Sequence, residues 1–178
     1  MNRTIRLTLV AAAMTAFLIG MVFDHAARRA SGTEVILDLE PVDPRDLLAG
    51  YYVIVSTPLH LLETDSLGGD DSFATGDDIF ALVEEDGEGV WQAVSIHRER
   101  PEAGVFLHGK VQHGSETMIR ADYNLERFYA DEETAQALEL RRRENIDSMR
   151  LIVSVGPDGR AIIRGLEIDG QRRTVPLF

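Results

Sequence analysis

The longest apolar run in the chain lies near its N-terminus, where residues 7–23 include no charged side chain. As a helix this run would be about 25 Å long, close to the shortest length that crosses a bilayer. It is apolar on every side, which is typical of a membrane span and unusual for a helix of a small soluble domain. The pattern therefore predicts a transmembrane anchor over residues 7–23, preceded by a basic tail over 1–6 and followed by a linker over 24–33.

A cleaved secretory signal is the alternative interpretation of this run. The apolar region of a signal is usually about 7–15 residues long and ends at a small-x-small cleavage site. Here the run is longer, and His25 occupies the position that needs a small residue for cleavage after Ala27. We therefore expect an uncleaved single-pass anchor in the inner (cytoplasmic) membrane. The short tail is expected in the cytoplasm, which places residues 34–178 on the periplasmic side.

Beyond the linker, the hydrophobic pattern changes to that of β-strands. Glu34–Glu40 alternates apolar and mostly acidic residues, as a half-buried strand does, and Tyr51–Thr57 is apolar on both faces, which favours a central strand. Three hairpins are predicted from apolar segments separated by turns: 79–85 with 90–97, 105–111 with 118–125, and 150–155 with 160–169.

One soluble helix is predicted over Asp131–Asn145, because acidic residues occupy its first turn and arginines its last. The expected fold is therefore mainly β, an antiparallel barrel or sandwich-like sheet with this one soluble α-helix, preceded by the single N-terminal transmembrane helix.

The charge of the chain is unevenly distributed. The formal net charge is −12, but the first 30 residues hold four arginines and one aspartate, so the rest of the chain carries a net charge of −15. A surface this acidic argues against nucleic-acid binding, which needs cationic side chains, and against lying flat on anionic lipid. The absence of cysteine excludes disulfides and thiolate metal sites.

Three groups of residues offer chemistry, and each also has a simpler explanation. The loop over 64–78 holds five aspartates but lacks the alternating spacing of an EF-hand, so a solvated loop explains it. The five histidines would bind zinc only if three or four converged, and nothing in the sequence fixes that convergence. The one lysine, Lys110, would be needed for a Ser–Lys dyad with Ser56 or Ser95, but is expected to face solvent. We predict no catalytic residue, no metal and no cofactor.

A segment just before Tyr51–Thr57 carries a family resemblance. Residues 43–50, Asp-Pro-Arg-Asp-Leu-Leu-Ala-Gly, have the form Asp-Pro-Arg-Asp-Leu-x-x-Gly that introduces the motif Gly-Asp-Tyr-x-x-Leu-x-Tyr. Gly50 and Tyr52 match the motif, Val55 replaces its leucine, and Tyr51 and Thr57 stand in place of its aspartate and its last tyrosine.

Later stretches over 89–95, 158–161 and 165–170 add to the likeness. From Val35 to about Arg172, the chain resembles the GDYXXLXY family of bacterial membrane-anchored proteins. The resemblance implies a single membrane anchor and an extracytoplasmic β-rich domain, and it supplies no catalytic residue. If the aspartate of the motif were functional in the family, this chain would have lost it at Tyr51.

Arg45, Asp46 and Tyr52 are the candidate partner-binding residues. In one interpretation they form a polar surface that a partner recognises. In the other, Arg45 and Asp46 satisfy the backbone of the turn while Tyr52 packs inside. We expect an accessory or interaction protein without a small-molecule ligand, acting with another inner-membrane protein, because tethering raises the local concentration for such a partner. The alternative is a membrane-tethered hydrolase or a ligand-binding or metal-binding domain.

Overall fold

The computed structural model describes residues 3–40, 52–115, 117–129 and 149–174. These residues form one long helix followed by twelve strands, most of them short. The mainly β fold with an apolar N-terminal helix is thus confirmed. The soluble helix predicted over Asp131–Asn145 lies outside the described residues.

Helix α1 runs from Arg3 to Ser31 and contains no proline. Its alanine, leucine and methionine residues favour the helical conformation, and at 1.5 Å per residue it is about 44 Å long. The large apolar side chains from Ile5 to Phe23 are each more than half exposed to solvent. Within the described residues, Arg3–Asp24 is the one helical stretch long and apolar enough to cross a membrane. The helix continues through most of the segment 24–33 that the sequence assigns to a linker.

A four-stranded antiparallel sheet follows directly from this helix. Its strands, in spatial order, are β1 (Thr33–Asp38), β10 (Met149–Val155), β11 (Ala161–Ile168) and β12 (Gln171–Thr174). Thr33 pairs with Val155, so the turn between β10 and β11 lies at the helix end of the sheet. This turn contains Gly159 with φ of 79°, a conformation that glycine adopts without a Cβ penalty.

A six-stranded sheet forms the second layer. Its strands, in spatial order, are β3 (Leu61–Glu63), β8 (Met118–Asp122), β7 (Val105–Gly114), β5 (Asp78–Glu85), β6 (Trp91–His97) and β4 (Gly68–Gly69). All neighbouring strands are antiparallel except β4, which runs parallel to β6. The predicted pairing of 79–85 with 90–97 and of 105–111 with 118–125 is confirmed, as is the 150–155 hairpin of the first sheet.

The two larger sheets share one hydrophobic core. Strand alternation directs Val35 and Leu37 of β1 inward, and Ile79, Ala81 and Val83 of β5 meet them from the other layer. All five side chains are at most 2% exposed. The arrangement is therefore sandwich-like, as predicted, with core residues recurring at every second position of β1 and β5.

The segment expected as a central strand contributes to a small sheet instead. Strand β2 (Tyr52–Ile54) pairs, in the described part of the chain, with β9 (Arg127–Tyr129) in a small two-stranded sheet. The pairing of β2 with β9 ends at Ile54. Ser56 then forms an isolated bridge with Glu40, and a 3₁₀ turn begins at Pro58. Val55 and Thr57 are buried, although no strand of the two larger sheets pairs with β2 in the described part of the chain.

Candidate functional site

Of the three residues predicted to bind a partner, Arg45 and Asp46 lie outside the described residues. Tyr52 begins β2 opposite Tyr129, which fixes the position of its backbone. Their role in recognition stays a prediction.

A buried polar network lies just after the motif-related strand. The backbone N–H of Thr57 donates to Nδ1 of His60 at 3.0 Å, and the Thr57 hydroxyl lies 3.1 Å from the same nitrogen. Because Nδ1 accepts, the ring proton is on Nε2, which donates to Oε1 of Glu126 at 3.0 Å. The backbone N–H of Tyr123 donates to the same carboxylate oxygen at 3.3 Å.

The electrostatics of this network stabilise an ionised Glu126. Partial burial alone would raise the pKa of its carboxyl, but the hydrogen bond from His60 and a bond from its own backbone lower the pKa to about 2, against an ordinary value of 4.5. The carboxylate therefore stays charged and accepts hydrogen bonds at any physiological pH.

This hydroxyl–imidazole–carboxylate order has the composition of a catalytic triad but not its accessibility. Thr57 is 0% exposed and His60 is 6% exposed, so no substrate carbonyl reaches the hydroxyl. The ring nitrogen that would take the hydroxyl proton already accepts the Thr57 backbone N–H. The network joins the 3₁₀ turn to the segment before β9, and its chemistry is that of a structural clamp.

The other histidines do not gather around His60. His97 and His108 lie on strands that flank β5, and both pair with Phe80, so its ring separates them. His108 stacks on the Phe80 ring with centroids 4.5 Å apart. In residues 3–40, 52–115, 117–129 and 149–174, no group of three or more His, Asp or Glu side chains has the geometry to hold a metal.

Lys110 forms an ion pair with an aspartate, not a dyad with a serine. Its Nζ lies 3.0 Å from Oδ1 of Asp78, and Nε2 of His108 lies 2.8 Å from the same oxygen. These bonds lower the pKa of the Asp78 carboxyl, the one from His108 most. Lys110 is exposed, as expected. Ser95 lies across β5 on another strand, where its hydroxyl is 2.9 Å from Nε2 of His97.

The Ser95–His97 pair has no activating carboxylate among the described residues. A serine nucleophile requires a base that a third group orients, and no described carboxylate bonds to His97. Neither residue lines the clefts formed by Thr64 with Phe73, by Leu59 with Trp91, or by Thr33 with Phe106.

Asp70 and Asp77 of the 64–78 loop accept hydrogen bonds from different segments. Asp70 accepts the Arg98 backbone N–H at 2.8 Å, and Asp77 accepts the Ala74 backbone N–H at 2.9 Å. The bond of Asp77 is a turn-stabilising bond of the kind that aspartate commonly makes, whereas the bond of Asp70 joins the loop to the residue after β6. The two bonds do not bring the carboxylates to one point.

A cleft of about 350 Å³ with a partly apolar wall lies at the border of the two sheets. We call it the Trp91 cleft. It lies between the end of β1, the start of β6 and the segment over 58–67. Its lining residues include Asp38, Leu59, Leu61, Leu62, Glu63, Leu67 and Trp91. Its volume falls at the lower end of the range of small-ligand pockets.

Sequence reasoning missed this cleft. Trp91 is partly buried against the core. The cleft needs three segments that are distant in sequence, so no local pattern reveals it. The one available signal was Leu61, an apolar residue on an outer position of a short strand, which is 40% exposed.

The described fold defines a class of protein: a β-sandwich-like domain carried by one exposed apolar N-terminal helix. Within that class the chain belongs to the GDYXXLXY family, whose family model, described as GDYXXLXY protein, matches residues 14–166. The match begins inside α1 and ends in β11, so it spans both large sheets. No curated protein and no solved structure matches the chain.

Proposed function

We propose that this protein is a membrane-anchored, extracytoplasmic accessory protein that acts with another protein of the same inner membrane. The observation that carries the proposal is α1, whose large apolar side chains from Ile5 to Phe23 are all more than half exposed. No other described element covers this surface. A bilayer would cover it, and each large side chain withdrawn from water contributes about 1.5–3 kcal/mol.

The charge of the domain supports its position beside the membrane instead of on it. Residues 31–178 carry a net charge of −15, which anionic headgroups repel. The arginines near the two ends of α1 stay at the lipid–water boundary in this arrangement. The β-domain is then held near the membrane by α1 and exposed to other membrane proteins.

Tethering to the membrane favours binding of the domain to membrane-bound partners. A domain confined to a layer next to the bilayer meets membrane-bound partners at a high effective concentration, so a modest contact is sufficient for association. The acidic sandwich offers the partner a rigid surface, because its two sheets share one core.

The location is tested with the full-length protein carrying a C-terminal tag in a bacterium with two membranes. The proposal predicts that the protein stays with the membranes after an alkaline wash and keeps the mass of residues 1–178. It also predicts that protease added to spheroplasts removes the tag. Release by the wash, trimming near Ala27 or protection of the tag would each contradict the proposal.

The accessory role is tested separately with two forms of the protein. In one form α1 is retained, and in the other a cleavable signal releases residues 32–178 into the periplasm. Chemical crosslinking in intact cells should give a defined adduct with an integral membrane protein in the anchored form and much less of it in the released form. Equal adduct in both forms would show that tethering does not serve partner binding.

A further inference from the structure

The Trp91 cleft combines an apolar wall with an acidic border. We propose that it binds an extended basic segment of the partner protein, with an apolar side chain in the cleft and arginine or lysine side chains at its border. The identity of the partner as a membrane protein rests on the function proposed above, whereas the chemistry of the cleft is independent of it.

The apolar lining of the cleft comes from two strands and a 3₁₀ turn. Trp91 lies at the start of β6, and Leu59 and Leu62 lie in the 3₁₀ turn and in β3. Leu59 and Leu62 belong to the core and are at most 3% exposed, which makes this side of the cleft rigid. Leu61 at the opening is 40% exposed and provides apolar surface that a bound segment would cover.

Carboxylates lie around the same opening. Glu63 lines the cleft, and Glu85 pairs directly with Trp91 across β5 and β6. Because Glu85 follows the buried Val83 by two residues, its side chain lies on the same face of the sheet as Trp91. In the described part of the chain, neither Glu63 nor Glu85 forms an ion pair.

More carboxylates extend the acidic border beyond Glu85. Asp86 and Glu88 lie in the turn between β5 and β6, four and two residues before Val90 of the cleft lining. Among the described residues, Arg150 acts electrostatically on Asp86, and it is already bonded to Asp38 at 3.3 Å. Negative charge therefore exceeds positive charge at this opening, which favours a cationic ligand.

The position of two sheet edges favours an extended ligand. Among the described strands, β3 lies at one edge of the six-stranded sheet and β1 at one edge of the four-stranded sheet. Both strands contribute residues to the cleft. An extended segment lying along such an edge gains backbone hydrogen bonds while its alternate side chains enter the cleft.

Trp91 is the single tryptophan of the chain, so its fluorescence reports from the cleft wall alone. The full-length protein, reconstituted in neutral phosphatidylcholine vesicles, is titrated with the synthetic peptide Arg-Leu-Arg-Leu-Arg. The matched peptides are Glu-Leu-Glu-Leu-Glu, which reverses the charge, and Arg-Ser-Arg-Ser-Arg, which removes the apolar side chains. The proposal predicts a saturable change in Trp91 emission with the first peptide and little change with the other two.

Two double variants separate the cleft from the general charge of the domain. Glu63→Gln with Glu85→Gln removes two charges at the cleft, and Glu99→Gln with Glu102→Gln removes two exposed charges elsewhere. The affinity should fall about tenfold in the first variant and by less than about twofold in the second. Equal losses in both variants, or no change in emission with the first peptide, would overturn the proposal.

The test also separates this inference from the proposed function. A protein that is released from the membrane but binds the peptide with the predicted charge dependence overturns the accessory role and supports the cleft. A protein that is anchored as proposed but shows no peptide-dependent emission overturns the cleft alone.

Discussion

The imidazole of His60 donates from Nε2 to Oε1 of Glu126 at 3.0 Å, between residues 66 positions apart in the chain. A second bond runs between the same two regions, since the Val55 backbone N–H donates to the Glu126 carbonyl at 2.9 Å. Together they fasten the end of the motif-related strand and its 3₁₀ turn to the segment that leads into β9. The clamp thus supports the region that the family motif names, with Thr57 and His60 buried and Glu126 partly exposed.

Glu126→Gln is expected to weaken this clamp. Glutamine keeps an acceptor oxygen for His60 but loses the charge, and about a third of the Glu126 side chain is exposed, so water reduces the loss. We expect the free energy of unfolding to fall by about 1–2 kcal/mol at pH 7. Urea unfolding of the full-length protein in detergent micelles, followed by Trp91 fluorescence, measures it. Glu99→Gln is the control and should change the value by less than about 0.5 kcal/mol.

The same carboxyl predicts how stability depends on pH. Its pKa is lowered on folding, from an ordinary 4.5 to about 2, so the stabilisation is complete above pH 4.5 and disappears as the pH falls towards 2. In Glu126→Gln this contribution is absent at every pH. The difference in unfolding free energy between the wild type and the variant should therefore shrink between pH 4.5 and pH 2. A difference that stays constant over this range would show that the charge of Glu126 is not its source.

The hairpins were predictable and the clamp was not, for reasons that lie in particular residues. Ile79, Ala81 and Val83 alternate with less buried residues in a single short segment, so the local pattern reveals the strand and its inner face. His60 and Glu126 have no such signal, because their contact forms only after the sheets assemble. The sequence therefore presents His60 as one of five candidate metal ligands, whereas the structure shows it bonded to Thr57 and Glu126.

The family motif does not predict the surroundings of Thr57 in the same region. It occupies the position of the last tyrosine of the family motif, and it is fully buried against His60. The motif reveals the substitution but not its effect, since the size of the space around residue 57 depends on segments far away in sequence. The central strand expected over Tyr51–Thr57 was wrong for a related reason, because pairing partners depend on the whole topology.

Tyr123 holds a buried hydroxyl that lacks a hydrogen-bond partner among the described residues. Burial also raises the pKa of this hydroxyl, so it stays protonated. Because an unsatisfied buried hydroxyl costs about 1–3 kcal/mol, Tyr123→Phe should leave the free energy of unfolding unchanged or raise it by about 1 kcal/mol. Urea unfolding checks the sign.

The ring of Tyr123 provides the matched comparison for this prediction. It packs in the core and meets the His60 ring edge to face, with centroids 6.1 Å apart. Tyr123→Ala should therefore cost about 3–5 kcal/mol, as large core truncations do. Loss of more than about 1 kcal/mol in Tyr123→Phe would mean that the hydroxyl has a stabilising partner.

Gly159 joins the two sheets at a very close contact. Its carbonyl accepts the His108 backbone N–H at 2.8 Å, and a Cβ at this position would lie 2.6 Å from the Phe106 ring. Gly170 offers a matched control, because its φ of 75° is close to the 79° of Gly159 but nothing lies within 4 Å of its added Cβ. Alanine at either position has the same backbone strain, about 1 kcal/mol.

Gly159→Ala should therefore destabilise the domain more than Gly170→Ala does. The excess reflects the clash with Phe106 and should be about 1–3 kcal/mol, the usual cost of overpacking. The two variants are compared by urea unfolding under identical conditions. Equal losses would show that the hairpin moves away from β7 without cost, which would contradict a rigid contact between the sheets.

Arginine substitutions within the apolar stretch of α1 test whether this helix crosses the membrane. Ala13→Arg combined with Phe17→Arg places two guanidinium groups near the middle of the predicted span. Each costs about 2.5–3.5 kcal/mol at the centre of a membrane helix, so about 5–7 kcal/mol together. The amount of protein that remains in the membrane after an alkaline wash should fall sharply. Asn2→Arg with Thr4→Arg adds the same charge at the start of the helix and should leave retention unchanged, because arginine side chains there reach water. Equal retention of both variants would mean that α1 associates with the membrane by its surface and does not cross it.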